Sequence, residues 1–165
     1  MKTDLNWISK TKKIPRTGYY KDSDDFSDLP QDKIGAVCAF SFCDDKFVLV
    51  KNEGRWEPVA GHIEKGESPE EALIREIKEE SNMKVLKFVP LGYLYVAETD
   101  FYQVQYLCLV EPYGPFVEDP DGGVTAINLV DFKDVPKHLE PNDTSWATLK
   151  RCEEVFKVVK IDKKL

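Results

Sequence analysis

The rhythm of apolar and polar residues changes several times along the chain. Over residues 1–33 neither a period of 2 nor a period of 3.6 persists, and acidic residues between Asp22 and Asp32 are mixed with Ser and Pro. This stretch reads as an irregular polar arm, with at most a short helix around Leu5 to Ile8. From Ile34 the character shifts. Ile34 to Cys43 is rich in small and β-compatible residues, Asp44-Asp45 is a turn, and Lys46 to Lys51 is a second strand, so the pair predicts a hairpin. Asn52-Glu53-Gly54 is the next turn. Arg55 to Val59 is a short extended piece, and Gly61 to Gly66 a loop bracketed by glycines.

Ser68-Pro69-Glu70-Glu71 is a helix start. Ser68 can cap, Pro69 suits the first helical position, and Glu71 completes a capping box. The helix should run to about Ser81, with Asn82 as the left-handed residue that ends it. Lys84 to Val96 and Phe101 to Val110 read as two strands around Thr99-Asp100. Glu118 to Gly123 is a polar loop, and Val124 to Phe132 a further strand. Thr144 to Lys160 carries Trp146, Leu149, Cys152, Val155, Phe156 and Val159 at helical spacing, which predicts an amphipathic closing helix. The order of strands, helix, strands, helix suggests helices packed on a mixed sheet.

Composition narrows the function. The 165 residues suit one domain with a sizeable core. The 23 basic against 30 acidic residues give a net charge of −7, which argues against gripping nucleic acid through charge. A protein of this balance that handles phosphates needs some other neutralising agent, and a metal ion is the obvious one. No apolar run reaches the roughly 18 residues of a membrane span. Met1 to Lys13 lacks the apolar stretch of a signal peptide. Cys38, Cys43, Cys108 and Cys152 form no C-x-x-C pair, which favours buried thiols and a reduced, cytoplasmic setting.

One segment carries chemistry. Glu76, Glu79 and Glu80 stand at i, i+3 and i+4 of the predicted helix, so all three project from one face. Leu73, Ile74 and Ile77 form the adjoining apolar stripe, which places the acids at the edge of the buried face. The plain alternative is a solvated helix, and the i,i+4 pairs Glu71–Arg75 and Arg75–Glu79 support it. Against it, Glu76 and Glu80 repel at i,i+4. Three stacked carboxylates make physical sense around a hard divalent cation, which takes oxygen ligands and shares them with substrate phosphates.

Gly61, five residues, Glu67, seven residues, then Arg75-Glu76-Ile77-Lys78-Glu79-Glu80 and Ser81-Asn82-Met83 resembles the signature of the Nudix hydrolases. Two positions depart from it. Asn82 replaces the closing glycine, and Val59-Ala60 stands where Pro-Gly usually precedes the box. The resemblance implies an α/β fold, an α/β/α sandwich around a mixed sheet, over residues 34–165, with 1–33 as the arm. It implies a pyrophosphohydrolase that uses Mg²⁺, or Mn²⁺ in its place, to direct water at phosphorus in a nucleoside diphosphate linked to another group. On that basis Glu76, Glu79 and Glu80 would hold the metal with the Ala60 carbonyl. Glu76 or Glu79, or else a glutamate from outside the box, would be the base, and Glu67 and Arg75 would pair to fix the Gly61 loop. Many members use a further acid past the box, for which Glu118, Asp119 and Asp121 are candidates, with Glu98 another.

Trp56 and Arg55 are candidates for contacting the substrate, and Tyr93, Tyr95, Tyr102 and Tyr106 for lining a base-binding cleft, with core packing as the plain reading of each aromatic. His62 reads as a loop residue. No subgroup mark selects a particular substrate. The implied partner is a small nucleotide, with no membrane; a nucleic-acid substrate such as a capped RNA end is disfavoured by charge, and a homodimer is compatible. The reading from another class is a non-catalytic nucleotide sensor on the same fold.

Overall fold

The computed structural model describes residues 1–10, 12–118 and 123–164, the last four as backbone only. Among the described residues, nine strands run in chain order: β1 Lys2–Ile8, β2 Pro15–Asp22, β3 Ile34–Cys43, β4 Lys46–Asn52, β5 Arg55–Glu57, β6 Val59–His62, β7 Met83–Val96, β8 Phe101–Pro112 and β9 Val124–Asp131. The α-helices of the described residues are α1 Pro69–Ser81, α2 Val135–His138 and α3 Leu149–Lys164. The sheet order is β1-β2-β7-β8-β3-β4-β5, with β6 on β3 and β9 on β4. The β3–β8 pair is parallel and the other pairs are antiparallel, so the sheet is mixed.

Strict alternation in the two central strands buries both faces. Val37 and Ala39 of β3, with Val104, Tyr106 and Cys108 of β8, pack with Ala72, Leu73 and Ile77 of α1. Cys38, Phe40 and Phe42, with Leu107 and Leu109, pack on the opposite face with Cys152 and Val159 of α3. Phe42 and Phe156 stack at 3.8 Å between centroids and dock α3, a contact worth about 0.5–1.5 kcal/mol beyond the area it buries. The expected α/β/α sandwich is therefore what forms. None of the four cysteines is in a disulfide. Among the described residues no helix is long and apolar enough to cross a membrane.

Several expectations need correction. Residues 1–33 are not an irregular arm, and Leu5 to Ile8 is not helical. β1 and β2 form a hairpin whose second strand extends the sheet along β7, with Gly18 opposite Val96. Gly18 permits this close approach, since a Cβ there would lie 1.8 Å from the Tyr95 carbonyl oxygen. The β3–β4 hairpin is paired only at Phe42–Phe47 and Cys43–Lys46. Before that point β3 gives the same edge to β6, through Ala36 to Ala39. Gly61 and His62 belong to β6 and not to a loop. The closing helix starts at Leu149, after a 3₁₀ turn over Thr144–Ala147. Trp146 is consequently 43% exposed, off the apolar stripe. Ile74 is also exposed, and Ala72 takes its place in the core.

Candidate active site

Local chemistry fixes α1. Ser68 Oγ accepts from the Glu71 N–H at 3.1 Å, and the Glu71 carboxylate accepts from the Ser68 N–H at 3.3 Å, which closes the capping box. Asn82 ends the helix in the left-handed region at φ 53°. Between these ends the acidic edge is graded in burial: Glu80 is buried, the Glu76 side chain is 13% exposed and that of Glu79 33%.

This edge lies against the backbone of β6. Glu80 Oε1 accepts from the Ala60 N–H at 3.1 Å. The Glu76 carboxyl group lies so close to Gly61 that a Cβ there would sit 2.1 Å from its Cδ. Only the absence of a side chain leaves room for that carboxylate, which is the physical need for glycine at 61.

Arg75 is the hub of the acidic edge. Its Nε and Nη2 grip the two Glu67 oxygens at 2.7 and 2.9 Å. Nη1 reaches Glu76 at 2.8 Å and Glu79 at 3.2 Å, and Nη2 also donates to the His62 carbonyl at 3.0 Å. The Glu67 side chain additionally accepts from the Glu64 N–H, so one carboxylate ties the turn to the helix. Gly66 serves the same turn at φ 82°. The Arg75 guanidinium, with help from the Glu64 N–H, holds the Glu67 carboxyl down to about 2 from an ordinary 4.5.

A depressed folded-state value means that the clamp stabilises the turn above pH 4.5 and is lost as pH falls toward 2. A carboxyl-detected NMR titration should place the Glu67 midpoint near 2, and Arg75→Lys should raise it. An ordinary midpoint in the wild type would overturn the clamp.

Among the described residues, no three His, Cys, Asp or Glu side chains converge as a ready ligand set. Glu76 and Glu79 close on Arg75 instead. The donor chemistry nevertheless suits a hard cation: Glu67, Glu76 and Glu79 share the single Arg75 guanidinium, Glu80 accepts from the Ala60 N–H, and the four carboxylates leave a surplus of negative charge beside the Gly61 backbone. A divalent ion held by oxygen fits that surplus.

A cleft of about 550 Å³ opens where β6 meets the N-terminal hairpin, lined by Ala60, Gly61 and His62 on the box side. Trp7, Leu94, Val96 and Phe101 form its apolar wall; Asn52, Glu57 and Gln103 supply polar groups. Lys10, in the turn after β1, bridges Glu57 at 2.6 Å and Asp143 at 3.0 Å. Burial alone would lower the Lys10 ammonium value, but Asp143 and Glu57 outweigh it and leave it raised. Asp143 also accepts from the Ser145 N–H at 2.8 Å, so three distant segments are pinned around the cleft.

The other sequence candidates lie elsewhere. Arg55 pairs with Glu53, and Trp56 packs on the α3 side with Lys51 over its ring, so neither lines the cleft. Tyr93, Tyr95 and Tyr102 cluster with Tyr19 on the face opposite Leu94 and Val96, and Tyr106 is buried with its hydroxyl on Glu70. Both Glu98 oxygens accept from Thr17. Glu118 is exposed and makes no hydrogen bond or ion pair among the described residues, while Asp119 and Asp121 lie outside them. Lys10, Asn52, Glu57, Gln103 and Asp143 were not legible as a group. The one available signal was the alternation of Thr3, Leu5 and Trp7 within a polar run.

The profile of the NUDIX domain matches residues 32–150. Similar solved structures include the Bacillus subtilis pyrophosphohydrolase BsRppH, at 22% identity and a TM-score of 0.66, over 84% of this chain and 92% of that one. An ADP-ribose pyrophosphatase from Streptococcus suis is similar at 20% identity and a TM-score of 0.54, over 73% and 89%. A NUDIX hydrolase from Nitrosomonas europaea is similar at 21% identity and a TM-score of 0.54, over 74% and 87%. No curated protein matches the chain.

Proposed function

The chain belongs to the Nudix family, and from that premise we propose that it is a metal-dependent pyrophosphohydrolase, one that cleaves a diphosphate linkage in a small nucleotide. The observation that carries this reading is the meeting of the acidic edge of α1 with the Ala60–Gly61 backbone at the border of the cleft. Glu76, Glu79 and Glu80, with the Ala60 carbonyl, are the groups that would hold Mg²⁺ or Mn²⁺. Bound there, such an ion supplies Lewis-acid charge to the phosphate oxygens and makes water a stronger nucleophile.

The protein's own groups do the remaining work. Glu76 or Glu79 takes the proton of the attacking water as phosphorus–oxygen bond cleavage releases the leaving phosphate. Glu79 is the more open of the two. Arg75 holds both carboxylates in place and anchors the turn through Glu67, so the acids are oriented before substrate arrives. Glu80, buried on the Ala60 N–H, fixes the spacing between helix and strand.

A panel of nucleoside triphosphates, nucleotide sugars, ADP-ribose and dinucleoside polyphosphates tests the reading. Turnover of at least one class with Mg²⁺, suppressed by chelator, is the expected result. Silence across the panel from folded, Mg²⁺-bound protein would replace the hydrolase with a nucleotide sensor.

A further inference from the structure

We propose that the cleft beside β6 is a nucleobase subsite in which Gln103 presents a hydrogen-bond donor and Asn52 an acceptor, against an aromatic wall supplied by Trp7 of the N-terminal hairpin. This rests on the nucleotide reading above and goes beyond it by naming the residues that choose the substrate's organic half.

Two relays set the polarity of the cleft. On one side Thr148 Oγ1 donates to Gln105 Oε1 at 2.6 Å, and Gln105 Nε2 donates to Gln103 Oε1 at 2.9 Å. Thr148 and Gln105 are buried, at 0% and 2% exposure, so the chain of bonds is shielded from water. It engages one lone pair of the Gln103 oxygen and leaves both N–H groups of the Gln103 amide on offer. On the other side Asn52 Nδ2 donates to Glu57 Oε1 at 3.1 Å, while Lys10 holds Glu57 Oε2. That engages one of the two Asn52 N–H donors and leaves the amide oxygen as the acceptor on offer. Neither the Gln103 nitrogen nor the Asn52 oxygen makes a hydrogen bond to a described residue.

Both side chains line the cleft together with Trp7, Phe101, Leu94 and Val96. A planar ring that carries an acceptor and a donor on its edge fits this combination, with its faces against the apolar wall. Every nucleobase has such an edge, and a bare polyphosphate or a sugar phosphate has no face to stack. Trp7 and Arg16 are opposite one another across the hairpin and both line the cleft, so the wall depends on the N-terminal strands having joined the sheet. The volume of about 550 Å³ is that of an ordinary small-molecule site.

The test uses the whole chain in chelator, so that binding is read without hydrolysis. The probes are the four common nucleoside 5′-monophosphates, with ribose 5-phosphate and inorganic pyrophosphate as controls. The readouts are calorimetry and tryptophan fluorescence. At least one nucleotide should bind tenfold or more tightly than ribose 5-phosphate and quench the fluorescence, with the quench lost in Trp7→Phe. Gln103→Leu should weaken that nucleotide roughly tenfold, the scale of one hydrogen bond in a desolvated site, and Gln103→Glu should weaken it further by replacing the donor with an acceptor. Gln105→Leu should weaken it through Gln103 alone, leaving pyrophosphate binding unchanged.

Equal binding of nucleotides and ribose 5-phosphate, or nucleotide affinity unmoved by both Gln103 variants, would overturn the proposal. Metal-dependent turnover of nucleoside triphosphates no more efficient than that of inorganic triphosphate would overturn it too, while leaving the hydrolase intact. Nucleotide binding through Gln103 in a protein silent on the full substrate panel would do the reverse.

Discussion

Glu80→Gln should lower metal-dependent turnover by about 10³-fold, about 4 kcal/mol of barrier at 1.36 kcal/mol per decade, while leaving the thermal midpoint at or slightly above that of the wild type. The two halves of this expectation come from one contact. Glu80 is buried, and its Oε1 accepts the Ala60 N–H at 3.1 Å. Glutamine keeps an oxygen in nearly the same place, so the bond between helix and strand survives. Its neutrality also removes the cost of keeping a charge away from water. What is lost is one negative charge from the set that attracts a cation. Side-by-side steady-state rates and melting curves separate the two effects, and activity at the wild-type level would remove Glu80 from the metal site.

Gly61→Ala should cost about 100-fold in kcat and about 1–3 kcal/mol of stability, the usual range for overpacking a tight contact. Gly61 does not need glycine for its backbone angles, since its φ is not positive. The added methyl would sit 2.1 to 2.6 Å from the carboxyl atoms of Glu76, which must swing away and give up its 2.8 Å contact with Arg75. Gly114→Ala is the matched control, because a Cβ there meets nothing within 4 Å. A Gly61→Ala enzyme with unchanged kcat would mean that the position of Glu76 against β6 is immaterial to catalysis.

The helix that carries the acids was legible because its signals are local. Ser68, Pro69, Glu71 and Asn82 specify its ends within one turn each, and the spacing of Glu76, Glu79 and Glu80 follows from helix geometry alone. The pairing of Glu67 with Arg75 spans eight residues and came from the family resemblance. The N-terminal hairpin was missed for the opposite reason. A strand is decided by its partners, and the partner that joins β2 to the sheet is β7, seventy or more residues away. Leu5 and Trp7 alternate with polar residues, but Asp4 and Asn6 between them give no apolar run to notice.

The facing of the tyrosines turned on the same limit. Which side of a strand a residue occupies is fixed by register, and a shift of one residue exchanges the faces. Leu94, Val96, Phe101 and Gln103 face the cleft, and the tyrosines beside them do not. The cleft itself joins residues near 10, 52, 57, 103 and 143, whose only common property is where the sheet brings them.

Mn²⁺ binding to the substrate-free protein, followed by the loss of the free-ion signal in electron paramagnetic resonance, tests most directly whether the α1 edge and the β6 backbone hold a divalent cation. The expected result is saturable binding by the wild type, weakened at least tenfold in Glu80→Gln and competed by Mg²⁺. Wild-type protein that leaves the free Mn²⁺ signal untouched, or a Glu80→Gln variant that binds as the wild type does, would contradict it.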